Sequence, residues 1–144
     1  NYPNPPAEEG MYDQIVIFPD FNLDGRTQDN ICYIDNITFN QASYSLLSSS
    51  HQTLDLIAQL MQRYPTYHLK IEGHTDNQGN PQANKQLSQL RAKACMEYLQ
   101  QQGIDKARMA YEGYGGEQPR ATNDTNSGRR RNRRVEFDLF DPNN

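Results

Sequence analysis

The stretch 71–99, IEGHTDNQGNPQANKQLSQLRAKACMEYL, carries the residue types whose spacing could do chemistry. Just before it and at its start, Tyr67, Leu69 and Ile71 alternate with His68, Lys70 and Glu72, the period of a strand. The run breaks at Gly73, passes into a polar loop at 74–81, and feeds an amphipathic helix. Strand, polar loop and helix gather loop side chains and the helix's first turns around one pocket at the end of a sheet. That pocket is expected to hold a carboxylate, Asp76, and a guanidinium, Arg91. Two solvated charges would give the same pattern, so the pair by itself names no ligand.

Other arrangements can be weighed in the same way. His74 and Asp76 spell H-x-D, but no third ligand stands at helical or loop spacing, and His51 and His68 fall on other elements. His74 is therefore expected to be structural, bonding the loop, and neither a metal nor a cofactor is expected. Nucleophilic catalysis lacks support, with no G-x-S-x-G and no cysteine beside a plausible base. Asp20, Asn22, Asp24 and Gly25 open a calcium-loop pattern, D-x-N-x-D-G, yet the twelfth position is Ile31, where a bidentate Glu belongs. An ordinary Asx-rich turn is expected there. Cys95 lies on the apolar side of the second helix and reads as a small buried hydrophobe; a disulfide to Cys32 cannot be deduced from two cysteines.

Charge is distributed unevenly. The net charge of −4 includes Arg129, Arg130, Arg131, Arg133 and Arg134, without which the chain would stand at −9. Such a cluster could meet nucleic acid, but the acidic remainder repels phosphate and no stacking aromatics interleave it, so no nucleic-acid partner is expected. Arg130 and Arg131 read as solvated. Mean hydropathy is −0.98, polar for a globular protein, while nine Tyr and five Phe supply core material. The length suits one domain with a two-layer core. No run approaches the roughly 20 apolar residues needed to span a bilayer, and any membrane anchor would lie upstream of this chain.

The elements that must position the pocket follow from periodicity. Residues 1–10, with three prolines, read as a linker, and QIVIF at 14–18 as a short strand added to the sheet's edge or left from an upstream module. Residues 33–39 form the first core strand, with Ile34 shifted by a local irregularity. A helix capped at Ser48, Ser49 or Ser50 buries Leu54, Ile57, Ala58, Leu60, Met61 and Tyr64 and stops at Pro65. The second strand at 67–72 must then run parallel to the first if both share a sheet. The second helix, 81–102, presents Leu87, Leu90, Ala94, Cys95, Tyr98 and Leu99 and ends at Gly103. Strands at 109–113 and 135–140 follow, separated by a long polar segment at 114–134. The expectation is an α+β fold: a two-layer β-α-β-α-β-β sandwich with the helices on one face of a mixed sheet.

Taken together, GHTDNQG, Asn84, LSQLRA, GYG and NRRVEF fall in an order and spacing that closely resembles the C-terminal peptidoglycan-binding domain of outer-membrane protein A. The same domain occurs in the peptidoglycan-associated lipoprotein and in flagellar motor stator proteins. The resemblance covers roughly residues 34–140, so 1–30 read as a linker or N-terminal extension with an extra strand and 31–144 as the domain. It implies a non-catalytic domain of the periplasm, attached to the outer membrane, whose partner is the meso-diaminopimelate of the peptidoglycan stem peptide. On this resemblance Asp76 meets the ligand's ammonium and Arg91 its carboxylate, a matched acid and base for a zwitterion.

The resemblance also assigns Asn84 and Thr75 to the groove and makes Arg133 the groove arginine of the NRRV block; Leu87, on the same side of the helix, is expected to offer apolar contact to the ligand's aliphatic stem. In similar domains an aspartate often follows the first strand, where this chain has Asn40 and Gln41. That loop gives mainly backbone N–H donors, so Asn40 and Gln41 remain assigned to the ligand. A wall hydrolase using His74 and Asp76 is the alternative from another class.

Overall fold

The computed structural model describes residues 12–19 and 32–38 as strands and residues 51–143 in full. Five strands form one mixed sheet: β1 (Tyr12–Pro19), β2 (Cys32–Thr38), β3 (His68–His74), β4 (Met109–Gly113) and β5 (Arg134–Phe140), in the order β2-β1-β5-β3-β4. Pairing alternates across it, with β2 antiparallel to β1, β1 parallel to β5, β5 antiparallel to β3, and β3 parallel to β4. β2 and β3 therefore point the same way, as a strand-helix-strand unit requires, although two strands stand between them.

One expectation is corrected here. The strand at 12–19 is neither an edge nor a leftover; it sits between β2 and β5, pairing with both. Its β-branched centre reads as a strand locally, but nothing local tells where a strand inserts in a sheet. The irregularity expected near Ile34 is present, since the register slips between Asp13↔Ile37 and Ile15↔Ile34 and leaves one extra residue on β2.

Helix α1 (His51–Arg63) buries Leu54, Ile57, Ala58 and Met61, the stripe expected from three- and four-residue spacing. Its end is tied to the turn that follows by one residue far down the chain: the Arg108 guanidinium donates to the carbonyls of Met61, Tyr64 and Tyr67 at 2.7–2.9 Å. Helix α2 (Pro81–Gln101) starts with Asn80 accepting from the Ala83 N–H and ends at Gly103, whose φ of +99° suits a glycine cap. Both helices pack on one face. Leu54, Met61, Cys95 and Leu99 form a single core with Leu69, Ile71, Val135, Phe137 and Leu139, the alternate residues of β3 and β5. No helix among the described residues is long and apolar enough to cross a membrane.

Two boundaries differ from the sequence reading. Gly73 does not end the strand, which runs on to His74. Gly73 pairs with Gly113 on β4, and helix α2 rests on the two: a Cβ at Gly73 would lie 2.2 Å from the Ser88 carbonyl oxygen, and one at Gly113 2.3 Å from the Gln89 nitrogen. The glycines are there for close approach. The segment 114–134 is not all loop, because Thr125 caps a short helix α3 (Asn126–Asn132). Asn132, fully buried, accepts from the Arg120 and Ala121 N–H groups and donates to Ala121 O and Asn123 Oδ1, which ties the segment into one unit.

Candidate functional site

The site is built where α2 touches the sheet. Ser88, 1% exposed, sits over the glycine pair, donating to Lys85 O and accepting the Gly115 N–H at 2.9 Å. That contact fixes α2 along its axis, and so fixes Asn84 one turn before it. The loop after β3 is held by the segment after β4: the Tyr114 N–H donates to Gly73 O and the Thr75 N–H to Gly115 O. Asp76 then turns the chain, its Oδ1 accepting from the Gln78 N–H at 2.9 Å, while the Asn84 amide donates to Gln78 O at 2.7 Å.

Between these groups lies a cavity of about 200 Å³, lined by Asp76, Asn77, Pro81, Asn84, Tyr114, Gly116 and Glu117. Two carboxylates, Asp76 and Glu117, line it, and Lys85 approaches the Glu117 carboxylate at 3.8 Å from outside the lining. Asp76 itself is 8% exposed and its Oδ2 accepts a 2.6 Å charge-assisted hydrogen bond from Arg133 Nη1.

The residues expected at the site are thus brought together in part. Asp76 and Asn84 share the cavity wall, and Arg133 reaches it through Asp76. Thr75 does not face it; its Oγ1 donates to the Asp76 carbonyl, so it shapes the loop. Arg91 is 4% exposed on the buried side of α2 and Leu87 is half-buried, and neither lines the cavity. Asn40 and Gln41, like the D-x-N-x-D-G turn and the serines before α1, lie outside the described residues. Tyr114, Gly116, Glu117 and Ser88 were not foreseen; GYGG, directly after β4, is the signal that could have marked the first two.

His74 departs from expectation most. It neither bonds the loop nor meets Asp76. It stacks on Tyr114 (ring centroids 5.3 Å, 16°) on the sheet face away from α1 and α2, and neither ring nitrogen has a hydrogen-bond partner among the described residues. Burial, with Arg134 and Arg120 adding repulsion, pushes its pKa down to about 3. The arginine cluster is dispersed by function: Arg129 donates to Asn123 O, Arg133 to Asp76, and Arg134 to Glu136.

The class of the domain is thus a two-layer α+β fold with an acid-lined pocket where the second helix meets the sheet. Comparison with known sequences makes the assignment specific: the signature of the OmpA family spans residues 38–133, and this chain belongs to that family. It is 36% identical to the probable lipoprotein YiaD of Escherichia coli over 116 residues, 79% of this chain but 53% of that protein. It is 38% identical to the peptidoglycan-associated lipoprotein of Brucella melitensis over 112 residues, 77% of this chain and 67% of that one. The chain thus spans about half to two thirds of these relatives. Among solved structures, the C-terminal domain of Helicobacter pylori MotB superposes with a TM-score of 0.67 at 29% identity, covering 76% of this chain and 88% of that domain.

Proposed function

We propose that this domain binds peptidoglycan without cleaving it, through the meso-diaminopimelate of the stem peptide, and so tethers an outer-membrane component to the cell wall from the periplasm. The observation that carries the reading is the small acid-lined cavity beside Asp76, sized for the ammonium end of one side chain, in a chain whose relatives include a protein named for its association with peptidoglycan. Asp76 takes the ammonium, with Asn84 lining the same cavity and Thr75 holding the loop. Arg133, the groove arginine of the family resemblance, holds the Asp76 carboxylate through its 2.6 Å hydrogen bond. Arg91 on α2 and the backbone at Asn40 and Gln41 complete the groove on the strength of the family resemblance, with Leu87 on α2 as an apolar contact.

Pull-down with purified peptidoglycan tests this. Diaminopimelate and lysine walls share the ammonium, but only diaminopimelate brings the second carboxylate. Charge-assisted hydrogen bonds are worth about 1.5–3 kcal/mol, so the wild type should prefer the diaminopimelate wall by roughly 10- to 150-fold. Arg91→Ala should weaken binding to that wall and nearly erase the preference. Full preference retained by Arg91→Ala would refute the assignment of the carboxylate to Arg91, and release of soluble muropeptides would favour a hydrolase instead.

A further inference from the structure

The sheet face away from the helices carries a cluster that wall binding leaves unused. Glu72, His74 and Glu136 each offer one ligand atom, all within 4.8 Å of one another. Strand geometry assembles them: residues 72 and 74 lie on one face of β3, and Glu136 stands opposite Glu72 in the antiparallel register with β5.

A buried, unsatisfied imidazole aims into this cluster. His74 is 2% exposed and, among the described residues, both of its ring nitrogens lack hydrogen-bond partners, a state that buried polar groups rarely keep. Its Nε2 faces Glu136 Oε1 across 3.8 Å. That is too long for a hydrogen bond, but close to the roughly 3.4 Å that separates two tetrahedral ligands with metal bonds of about 2.1 Å.

The carboxylates are held from behind. Arg134 and Arg120 both address Glu136 Oε2, which leaves Oε1 toward His74. Tyr114 donates to Glu72 Oε2, which Lys70 also approaches at 3.4 Å. Partners of this kind orient ligating carboxylates in metal sites. We propose that Glu72, His74 and Glu136 form a binding site for a divalent cation of the zinc class, with water completing the coordination. One imidazole beside two carboxylates suits zinc better than magnesium or calcium, which take oxygen ligands alone. Lys70, Arg120 and Arg134 weaken the local field, so affinity falls short of that of a closed structural zinc site.

Calorimetric titration of the chain with ZnCl₂, combined with NMR of its imidazole rings and MgCl₂ as control, tests the proposal. The expected result is one saturable zinc site whose loading shifts the His74 ring signals and leaves those of His51 and His68 in place, with no response to MgCl₂. Glu72→Gln keeps an acceptor for Tyr114 and should lower zinc affinity by about tenfold or more. His74→Gln should remove the site; because that ring is buried and the variant could fail to fold, Glu72→Gln at the half-buried rim keeps the test decisive. Absence of saturable zinc binding, shifts confined to His51 or His68, or undiminished affinity in Glu72→Gln would each overturn the site.

Discussion

Replacing Asp76 by Ala removes more than a ligand contact. Its Oδ2 lies 2.6 Å from Arg133 Nη1, and the two side chains are 11% and 10% exposed, so the pair is largely withdrawn from water. Removing one partner of a buried pair costs about 3–5 kcal/mol, because the other charge stays desolvated. The residual exposure at both side chains places Asp76→Ala at the lower end, about 3 kcal/mol. Arg133→Ala should cost somewhat less, about 2 kcal/mol, since Asp76 Oδ1 still accepts from Gln78. The double variant leaves neither charge behind, and the cycle should show a coupling of about 2 kcal/mol. Urea unfolding of the four proteins measures this, with unchanged slopes confirming that only stability has moved. Additivity within about 0.5 kcal/mol would refute the claim that the pair is a buried, coupled unit. The practical consequence is that wall-binding assays of Asp76→Ala must be run well below its melting temperature, since about 3 kcal/mol is a large part of a typical domain's stability.

Three further outcomes follow from the same geometry. His74 has a native pKa of about 3 against an ordinary value near 6.5, so between these the unfolded state binds the extra proton and stability rises with pH; measured with a chelator present, about 3 kcal/mol should be lost from pH 6.5 to pH 4, and an equal loss in His74→Gln would assign the effect elsewhere. Gly73→Ala puts a methyl 2.2 Å from a backbone oxygen of α2, so the helix must lift; destabilisation of about 1–3 kcal/mol should come with weakened wall binding, and a variant as stable as wild type would show that the close approach is not needed. Wall binding should fall with Arg133→Ala and not with Arg130→Ala or Arg131→Ala, because only Arg133 reaches Asp76; equal, salt-sensitive losses in pull-down at all three would mean a diffuse charge effect.

Much of this protein was legible in one dimension. Helix α1 with its Leu54, Ile57, Ala58 and Met61 stripe, α2 from Pro81 to Gly103, and the alternation of Leu69 and Ile71 all follow from local periodicity and from proline and glycine chemistry, which act over a few residues. The ordered blocks around Asp76, Asn84 and the arginines placed the chain in its family for the same reason: each block is contiguous. What tertiary structure alone decided depends on residues far apart in sequence. The Asp76–Arg133 pair, the Arg108 clamp on α1, and the insertion of β1 between β2 and β5 have no local signature, because pairing across a sheet is chosen by the packing of the whole. Gly73 shows the limit most clearly. In sequence a glycine after an alternating run reads as a stop, and only the helix lying across it, with Ser88 2.2 Å from where a Cβ would stand, shows that the strand continues and that the missing side chain is space for α2.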